Sequence, residues 1–330
     1  MISRRRFVEA VTVGLLGAPL PAQAQRPANV VPRVGILAAT SQANARAQLD
    51  AFREGLRALG YVPNQTIGIE ERWADGREDR FGEIIDELLA AKVDVLVIGS
   101  AGAARRAKQR VTATPVVFAA VTDPIGSGIV ASLARPGGNI TGTSLVLGED
   151  LAGKWVELLR DAVPRIATVA VLGHPDHPMH PAYMTAIRHA ARGLGLTVQT
   201  FDARDAAEID RALALIAKAR PGALIVTASP LFGTHRKRIA QAALPSRIPT
   251  IGYDREFAVD GCLLAYGPSI NESYRRAAAY VDRILRGARP GDLPVEQPTI
   301  VQLSVNLRTA KALGLTIPPS LLVRADHVIE

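Results

Sequence analysis

The chain has almost no cysteine and few aromatic residues. Its 330 residues include a single Cys and only 5% Phe, Trp and Tyr. One cysteine excludes a disulfide-built scaffold and a cysteine-rich zinc module. So few aromatic side chains argue against a stacking platform for single-stranded nucleic acid. After residue 30, no apolar run reaches the ~18 residues that a membrane-spanning helix requires, so we expect a globular body.

The formal net charge is +8, yet the basic residues do not cluster. They are spread along the chain, and the densest run, Arg4–Arg6, lies in the N-terminal segment. A nucleic-acid-binding protein would concentrate its positive charge on one face or stripe. We therefore expect a basic, solvated surface and no nucleic-acid partner.

The first 25 residues have the pattern of an export signal. Arg4–Arg6 form a positive start, Phe7–Leu20 a short and mostly apolar stretch, and Ala22–Ala24 a small-x-small cleavage site. We expect cleavage after Ala24, which makes residues 1–24 a signal peptide, and a periplasmic protein. Residues Ser3–Val8 also match the twin-arginine pattern S-R-R-x-F-[LV], so that route and general secretion both stay open.

Short apolar runs alternate with helical patterns along the rest of the chain. One round of strands and helices runs from Arg33 to Leu145, and a second begins at Asp150. Because parallel strands require helical crossovers, this order predicts an α/β fold with two doubly wound parallel-sheet lobes. The length also suits two domains, since single hydrophobic cores stop growing near ~250–300 residues. One helix and one strand after Tyr266 would complete sheets already built.

Those late elements imply that the chain crosses between the lobes more than once. The prediction assigns residues 25–145 and 268–298 to lobe 1, and residues 146–267 and 299–330 to lobe 2. The crossings are expected near Thr143–Gly148, Gly267–Ser269 and Pro298–Val301. Several crossings form a hinge, so we expect the two lobes to close on a small-molecule ligand.

The candidate ligand contacts follow the predicted strands. In open α/β sheets, ligands bind beyond the carboxyl ends of the strands, and two facing lobes would bring both sets of ends to one cleft. The residues at those ends are Ser41, Gln42, Ser100, Ala101, Thr122, Asp123, His174, Ser229, Tyr253, Asp254 and Tyr266.

Three kinds of contact are expected among these candidates. The small residues around Ser100 open a helix. The first N–H groups of this helix can hold a carboxylate or phosphate, or the segment is a tight turn with nothing bound. A nucleotide is disfavoured because the chain lacks a Walker lysine motif and G-x-G-x-x-G, and we expect no cofactor. Asp123 or Asp254 could bind a ligand ammonium or cap a helix instead. Tyr253 and Tyr266 could flank an apolar ligand group or pack in the core.

A run of histidines raises the question of a metal. His174, His177 and His180 lie three apart, each followed by proline. In a polyproline II conformation three residues make one turn, so the three rings would share a face suited to Zn²⁺ or Cu²⁺. No cysteine or acidic ligand motif supports this site, and an exposed loop is the alternative, so we expect no metal. Cys262 lies in an apolar run and is expected to be a small buried hydrophobe.

The chain contains no recognisable catalytic motif. It has neither a G-x-S-x-G elbow nor H-E-x-x-H. An exported hydrolase would need a nucleophile–base pair, and the trio Ser229, His174 and Asp254 is of a kind that any chain of this length offers. We therefore expect a binding protein rather than an enzyme.

Several longer motifs point to a family. They are Phe52–Leu56 with Leu59–Val62, Ile69–Gly76, Asp123–Gly128, Ser132–Gly142, Asp292–Thr299, Asn306–Leu307 and Thr309–Pro318. Across essentially the whole mature chain, the sequence resembles the exported substrate-binding proteins of ABC importers, of the tryptophan/tyrosine-type group. The resemblance implies the periplasmic-binding-protein type I fold, no enzymatic activity, and delivery of a small solute to an ABC permease in the inner membrane. We expect a monomer.

Two departures from the family pattern fall on the expected pocket. Members often carry Gly-Thr-Pro-Ala-Ala where this chain has Ser100–Ala104, and Trp-Asn-Pro where it has Gly173–Pro175. An aromatic residue is thereby lost from the cleft and a histidine is gained. We expect an amino acid or a related carboxylate as the ligand, and not specifically an aromatic one. A ligand-sensing subunit for a membrane receptor kinase, with the same fold, is the alternative function.

Overall fold

The computed structural model describes residues 31–145, 149–163, 165–297 and 301–330. The predicted signal peptide lies outside the described residues, as do residues 146–148 and 298–300 of two predicted crossings. Within the described ranges, no helix combines the length and the apolar character needed to cross a membrane. The described chain forms two β-sheets within one compact unit, Pro32–Glu330.

The first sheet comes from the first part of the chain. Its strands in the described residues are β1 (Arg33–Ala38), β2 (Gly68–Trp73), β3 (Val95–Ile98), β4 (Val116–Thr122) and β5 (Ile140–Leu145). They lie in the order β2-β1-β3-β4-β5, and adjacent strands run parallel. The helices between them are α1 (Gln42–Ala58), α2 (Phe81–Ala90) and α3 (Ala101–Arg110). Strands β1, β3 and β4 are almost wholly buried, as expected of parallel strands with both faces covered.

The second sheet is larger and mixed. Its strands in the described residues are β6 (Thr168–Gly173), β7 (Thr197–Asp202), β8 (Ala223–Val226), β9 (Thr250–Gly252), β10 (Leu264–Pro268), β11 (Val301–Asn306) and β12 (His327–Ile329). They lie in the order β12-β11-β10-β9-β8-β6-β7. The helices from residue 149 onward are α4 (Glu149–Ala162), α5 (His180–Gly193), α6 (Ala206–Ala219), α7 (Pro230–Ala243), α8 (Arg255–Val259), α9 (Ile270–Leu285), α10 (Leu307–Leu313) and α11 (Pro319–Val323).

The chain leaves the second sheet after β10 and returns to it at β11. Between them, α9 packs against α1 and against β4 and β5 of the first sheet. The segment after α9 stays beside β5, where the Thr141 hydroxyl donates to the Leu293 carbonyl (2.7 Å) and Ser144 N–H donates to the Glu296 carbonyl (2.8 Å). Beyond residue 266, one long helix, α9, thus covers the first sheet, while two strands, β11 and β12, rather than the predicted one, complete the second. The residue boundaries proposed for the lobes stay a prediction.

The predicted fold class is confirmed, with one difference in strand direction. The structure contains two doubly wound α/β lobes, but β10 and β11 run antiparallel. The intervening helix packs on the other sheet, so these two strands are not joined by the crossover that makes neighbouring strands parallel. The sequence patterns also missed α8, α11 and β12, which contain only three to five residues each. Elements this short do not display a clear period.

The contact between α1 and α9 is very close at Gly55. A Cβ atom at this position would lie 2.6 Å from the carbonyl oxygen of Arg275 and 2.8 Å from Cβ of Ala278. A side chain of any size would therefore force the two helices apart. Beside this point, Arg275 also forms an ion pair with Glu54 across the helix interface (2.9 Å).

Alanine at position 55 tests this contact. Gly55→Ala should lower the free energy of unfolding by about 1–3 kcal/mol, because overpacking outweighs the better helix propensity of alanine. The matched control is Gly193→Ala at the end of α5, where nothing lies within 4 Å of the added Cβ, and it should be neutral or stabilising. Denaturant titrations measure both variants. A Gly55→Ala protein as stable as the wild type would contradict the proposed helix contact.

Candidate functional site

The carboxyl ends of strands from both sheets line one cavity. The empty space in and around it, which includes open solvent at its mouth, is about 740 Å³. Six of the eleven predicted contact residues line it. They are Ser100, Ala101 and Thr122 from the first sheet, and Ser229, Tyr253 and Asp254 from the second.

The predicted contacts Ser41 and Gln42 do not line this cavity. Ser41 caps α1, its side chain accepting a hydrogen bond from Asn44 N–H (3.4 Å). Gln42 is the first residue of that helix and is exposed. The first sheet instead contributes Thr40, one residue earlier, and Gln48, further along α1.

Asp123 and Tyr266 are also absent from the cavity wall. The backbone of Asp123 has a positive φ of 43°, and its exposed carboxylate accepts from Gly126 N–H (2.8 Å). This side chain therefore closes a turn, which is neither the ammonium contact nor the helix cap considered for it. Tyr266 is half-buried in the middle of β10, and its carbonyl accepts from the indole N–H of Trp155 (2.7 Å).

The histidine run does not adopt the predicted polyproline II conformation. The N–H of His177 donates to the carbonyl of His174 (3.1 Å), and the N–H of His180 donates to that of His177 (2.9 Å), so the segment forms tight turns. The rings consequently face different neighbours. His174 packs edge-on against Phe232, while His177 stacks on Tyr183. In the described residues, no group of three or more His, Cys, Asp or Glu side chains is arranged to hold a metal ion.

His177, rather than the predicted His174, lines the cavity. Its Nδ1 accepts a hydrogen bond from Met179 N–H (3.2 Å), which places the ring proton on Nε2. Burial, together with the nearby His174, His180 and Arg105, lowers the pKa of His177 to about 4. The imidazole is therefore neutral at physiological pH.

The start of α3 presents hydrogen-bond donors to the cavity. Ser100 is buried and caps the helix, its Oγ accepting from Ala103 N–H (3.2 Å). This arrangement leaves the hydroxyl hydrogen of Ser100 and the first N–H groups of α3 to meet an anion, at the positive end of the helix dipole.

Tyr274 of α9 adds a hydroxyl to the same place. A Cβ on Gly99 would lie only 1.9 Å from Tyr274 Oη, so glycine is needed for the tyrosine to reach the turn before α3. Tyr274 is buried and lines the cavity. Within the described chain its hydroxyl has no hydrogen-bond partner. Ser100, Tyr274 and the α3 N-terminus therefore place hydrogen-bond donors on the same part of the cavity wall.

A buried carboxylate from the second sheet faces the cavity. Asp254 is 7% exposed and caps the short helix α8, one of its oxygens accepting from Glu256 N–H (2.9 Å). Burial raises the pKa of Asp254 to about 6, while the nearby Arg236 guanidinium lowers it. The backbone N–H groups of Glu256 and Phe257 both bind this carboxylate, which lines the cavity and can there meet a ligand cation.

Gln48 of α1 supplies a further acceptor. When its amide nitrogen donates to the carbonyls of Asn44 (2.9 Å) and Ala45 (3.0 Å), the amide oxygen is the acceptor at the other end of the group. Gln48 and Asp254 both line this cavity and also a neighbouring one on the side of α9. They can therefore approach the same ligand group from different lobes.

Arg236 and Tyr253 complete the second-lobe wall. Arg236 is 8% exposed and pairs with Asp260 through Nε (2.6 Å), while its Nη1 donates to the Gly233 carbonyl (3.1 Å). The Tyr253 hydroxyl donates to the Ser229 carbonyl (3.1 Å), and its ring packs against Phe257. Tyr253 therefore both packs in the core and lines the cavity.

Contacts across the cleft bring the two lobes together at this cavity. The Asn44 side-chain amide at the start of α1 donates to the Thr234 carbonyl of α7 (2.5 Å). Gly76 lies against the same residue, since a Cβ there would be 3.2 Å from Thr234 Oγ1. The cavity is therefore covered on this side.

Besides Thr40, which directly precedes the predicted Ser41, four polar residues of the cavity were not among the predicted contacts: Gln48, His177, Arg236 and Tyr274. Gln48, Arg236 and Tyr274 lie within helices, beyond the residues that directly follow a strand. His177 was considered only as part of a metal face. Cys262, by contrast, is buried as predicted, and burial raises the pKa of its thiol.

Comparison with known proteins supports the fold and shows the family. A family model described as ABC transporter substrate binding protein matches residues 33–329. A tyrosine-binding protein of Clostridioides difficile (strain R20291) is 24% identical over 264 residues, which is 80% of this chain and 75% of that protein.

Two solved structures show the likeness in three dimensions. The ABC domain from Streptococcus pneumonia in complex with L-Trp has a TM-score of 0.81 at 24% identity, covering 91% of this chain and 100% of that one. A ligand-free, open substrate binding protein with adhesive properties from Clostridium difficile has a TM-score of 0.64 at 22% identity, covering 91% and 99%. These likenesses support the periplasmic-binding-protein type I fold. Since the family model spans nearly all of the described residues, the chain belongs to the ABC transporter substrate binding proteins.

Proposed function

We propose that this protein is the periplasmic receptor of an ABC importer and binds an amino acid in the cavity between its lobes. The observation that carries the proposal is the pairing of two complementary groups in one cavity. The first lobe presents donors for a carboxylate, and the second lobe presents a buried carboxylate for an ammonium. A zwitterion with both groups close together satisfies them at once.

The carboxylate end rests on Ser100, Tyr274 and the N-terminus of α3. Donors fixed by a helix cap and by helix packing need little reorganisation when an anion arrives. Thr122, buried at the end of β4, lies on the same wall and can add a hydroxyl.

The ammonium end rests on Asp254, supported by Gln48. Around it, the guanidinium of Arg236 stands against the carboxylates of Asp254, Asp260 and the half-buried Glu256. This cluster carries an excess of negative charge when Asp254 is ionised. A ligand cation neutralises a charge that is costly to bury alone.

Closure of the lobes follows from the same arrangement. A ligand that contacts Ser100 in one lobe and Asp254 in the other favours the closed state over the open one. The direct contact between Asn44 and Thr234 indicates a closed arrangement. The higher TM-score with the L-Trp complex than with the ligand-free, open protein supports the same interpretation.

The transport role follows from the family. We propose that the exported protein, as a monomer, delivers its ligand to an ABC permease in the inner membrane. The names of the relatives, which mention tyrosine and L-Trp, support an amino acid as the class of ligand.

A thermal-shift and calorimetric screen tests the proposal. The protein is unfolded and refolded to remove any carried-over ligand and is then screened against the L-amino acids. A ligand at ~100 times its Kd adds about 2.7 kcal/mol to stability, so one group of amino acids should raise Tm by several degrees. Folded protein that responds to no amino acid would refute the proposed ligand class.

Ser100→Asp tests the carboxylate end. Aspartate caps helices well, so the fold should persist, while its charge repels a ligand carboxylate. We expect affinity to fall by about 100-fold, or about 2.7 kcal/mol. Ser100→Asn is the matched control, because asparagine is nearly isosteric with aspartate, also caps the helix and adds no charge. Equal affinities of the two variants, measured by calorimetry, would show that no anion binds at α3.

Asp254→Asn tests the ammonium end and should change binding and stability in opposite directions. Affinity should fall about 30-fold or more, since breaking a buried charge pair costs ~2–5 kcal/mol. The ligand-free variant should be more stable at neutral pH. A folded pKa near 6, against an ordinary value of 3.8, means that ionised Asp254 costs up to about 3 kcal/mol. Asparagine retains the oxygen that caps Glu256 N–H.

The pH dependence gives an independent readout for Asp254. Because its folded pKa is raised, the ligand-free protein takes up a proton between about pH 6 and 4, and this group's cost to stability is relieved over that range. An ammonium pairs only with the ionised form, so affinity should fall as the pH drops below about 6. Asp254→Asn should abolish this dependence. Wild-type affinity that stays constant from about pH 7 to 5 would contradict the assignment.

A further inference from the structure

The zwitterion contacts leave two donors of the second lobe unused in the same cavity. They belong to Arg236 of α7 and to His177 before α5, and both residues line the cavity. Neither is needed to hold the carboxylate or ammonium of an amino acid at the positions proposed above. Each can therefore discriminate between ligands by the side chain that they carry in addition to the carboxylate and the ammonium.

Two hydrogen bonds hold the Arg236 guanidinium in a fixed orientation and engage two of its three nitrogens. Its Nε donates to Asp260 and its Nη1 to the Gly233 carbonyl, so the plane of the guanidinium is fixed. Within the described chain, Nη2 has no partner. A guanidinium has no acceptor atom, so the two hydrogens on Nη2 can only meet an acceptor on the ligand.

His177 offers a single neutral donor. Met179 N–H occupies Nδ1, so the proton is on Nε2, which has no partner in the described residues. The ring stacks on Tyr183 at a centroid distance of 6.0 Å and an interplanar angle of 19°, which holds its direction. Its low pKa keeps it uncharged, so it supplies an N–H group without a second positive charge.

The charges around Arg236 limit what the acceptor can be. With Asp254 ionised, the carboxylates of Asp254, Asp260 and Glu256 outweigh the Arg236 guanidinium, and the ligand ammonium offsets part of this excess. A further anionic group would add to the excess negative charge, and a further cationic group would face the guanidinium. An apolar group would leave both donors desolvated and unpaired.

We infer that Arg236 and His177 select an amino acid whose side chain is uncharged and carries a carbonyl-type acceptor, as a carboxamide does. This inference rests on the proposed function and specifies the substrate class of that same site. A site built from hydrogen-bonding groups discriminates strongly against analogues that lack the matching group.

Near-isosteric amino acids provide the test. Calorimetry on the refolded wild-type protein compares L-Gln with L-Glu and L-Met, and L-Asn with L-Asp and L-Leu. In at least one series the carboxamide should bind at least about tenfold more tightly than both the anionic and the apolar member. Equal or tighter binding of the apolar members, of L-Trp or L-Tyr, or of the anionic members would overturn the inference.

Substitutions connect the preference to the two residues. In Arg236→Met, the ratio of Kd for the apolar ligand to Kd for the carboxamide should fall to within about threefold of unity. His177→Phe keeps an aromatic ring on Tyr183 but removes the N–H donor, so the ratio should fall to a value between the wild-type ratio and unity. Because Arg236→Met leaves Asp260 unpaired, Arg236→Met/Asp260→Asn is measured beside it and should give the same low ratio. A ratio that stays at the wild-type value in Arg236→Met and in the double variant would overturn the role of Arg236.

Arg238→Met is the matched control. Arg238 lies on the same helix, pairs with Asp210 on the surface and does not line the cavity. The ratio of Kd for the apolar ligand to Kd for the carboxamide should equal the wild-type ratio in this variant. If the ratio also fell towards unity in Arg238→Met, the assignment of the preference to the cavity would be overturned. If folded wild-type protein binds no amino acid, the proposed function fails and this inference fails with it. If it binds amino acids without preferring the carboxamide, only the inference fails.

Discussion

Close packing of α9 on α1 is the constraint on which the rest of the structure depends. Helix α9 follows a strand of the second sheet but packs on the first, and Gly55 allows its backbone to approach α1. The packing ties the lobes together through the chain, because β11 then returns to the second sheet. It also carries Tyr274 to the turn before α3, where Gly99 leaves room for its hydroxyl. The contact that joins the lobes therefore also forms one wall of the cavity.

Within that frame, the second lobe places polar groups at the cavity that folding alone does not fully satisfy. Arg236 Nη2 and His177 Nε2 have no partner in the described chain, and the Asp254 carboxylate is held by the N–H groups of Glu256 and Phe257. Buried polar groups without partners cost free energy, and an ionised carboxylate costs more than a neutral group. Such a cost is typical of a binding site, where the missing partner arrives with the ligand and stabilises the closed form. The same reasoning explains why the pKa of Asp254 is raised in the ligand-free protein.

Individual residues show which parts of the site could be predicted from the sequence. Ser100 was predictable because a small residue between a buried strand and a helix both caps the helix and faces the cleft. Asp254 occupies the equivalent place before α8, although α8 itself was too short to be recognised. Asp123 has the same sequence context, yet a positive φ and a bond to Gly126 turn its carboxylate away. Gln48, Arg236 and Tyr274 lie within helices whose patterns are ordinary, so nothing local distinguishes them from surface or core residues.

Local sequence patterns were sufficient for the alternation of strands and helices, the two-lobed α/β class and the strand ends where a ligand would bind. Those features depend on the period of apolar residues and on helix caps, which act over a few neighbouring positions. Packing between distant segments decided the antiparallel β10–β11 pair, the turns of the histidine run and the cavity wall that Tyr274, Gln48 and Arg236 complete. These depend on contacts between residues far apart in the chain, such as Gly99 with Tyr274 and Asn44 with Thr234. Their geometry exists only after both lobes have formed, so no stretch of sequence can display it.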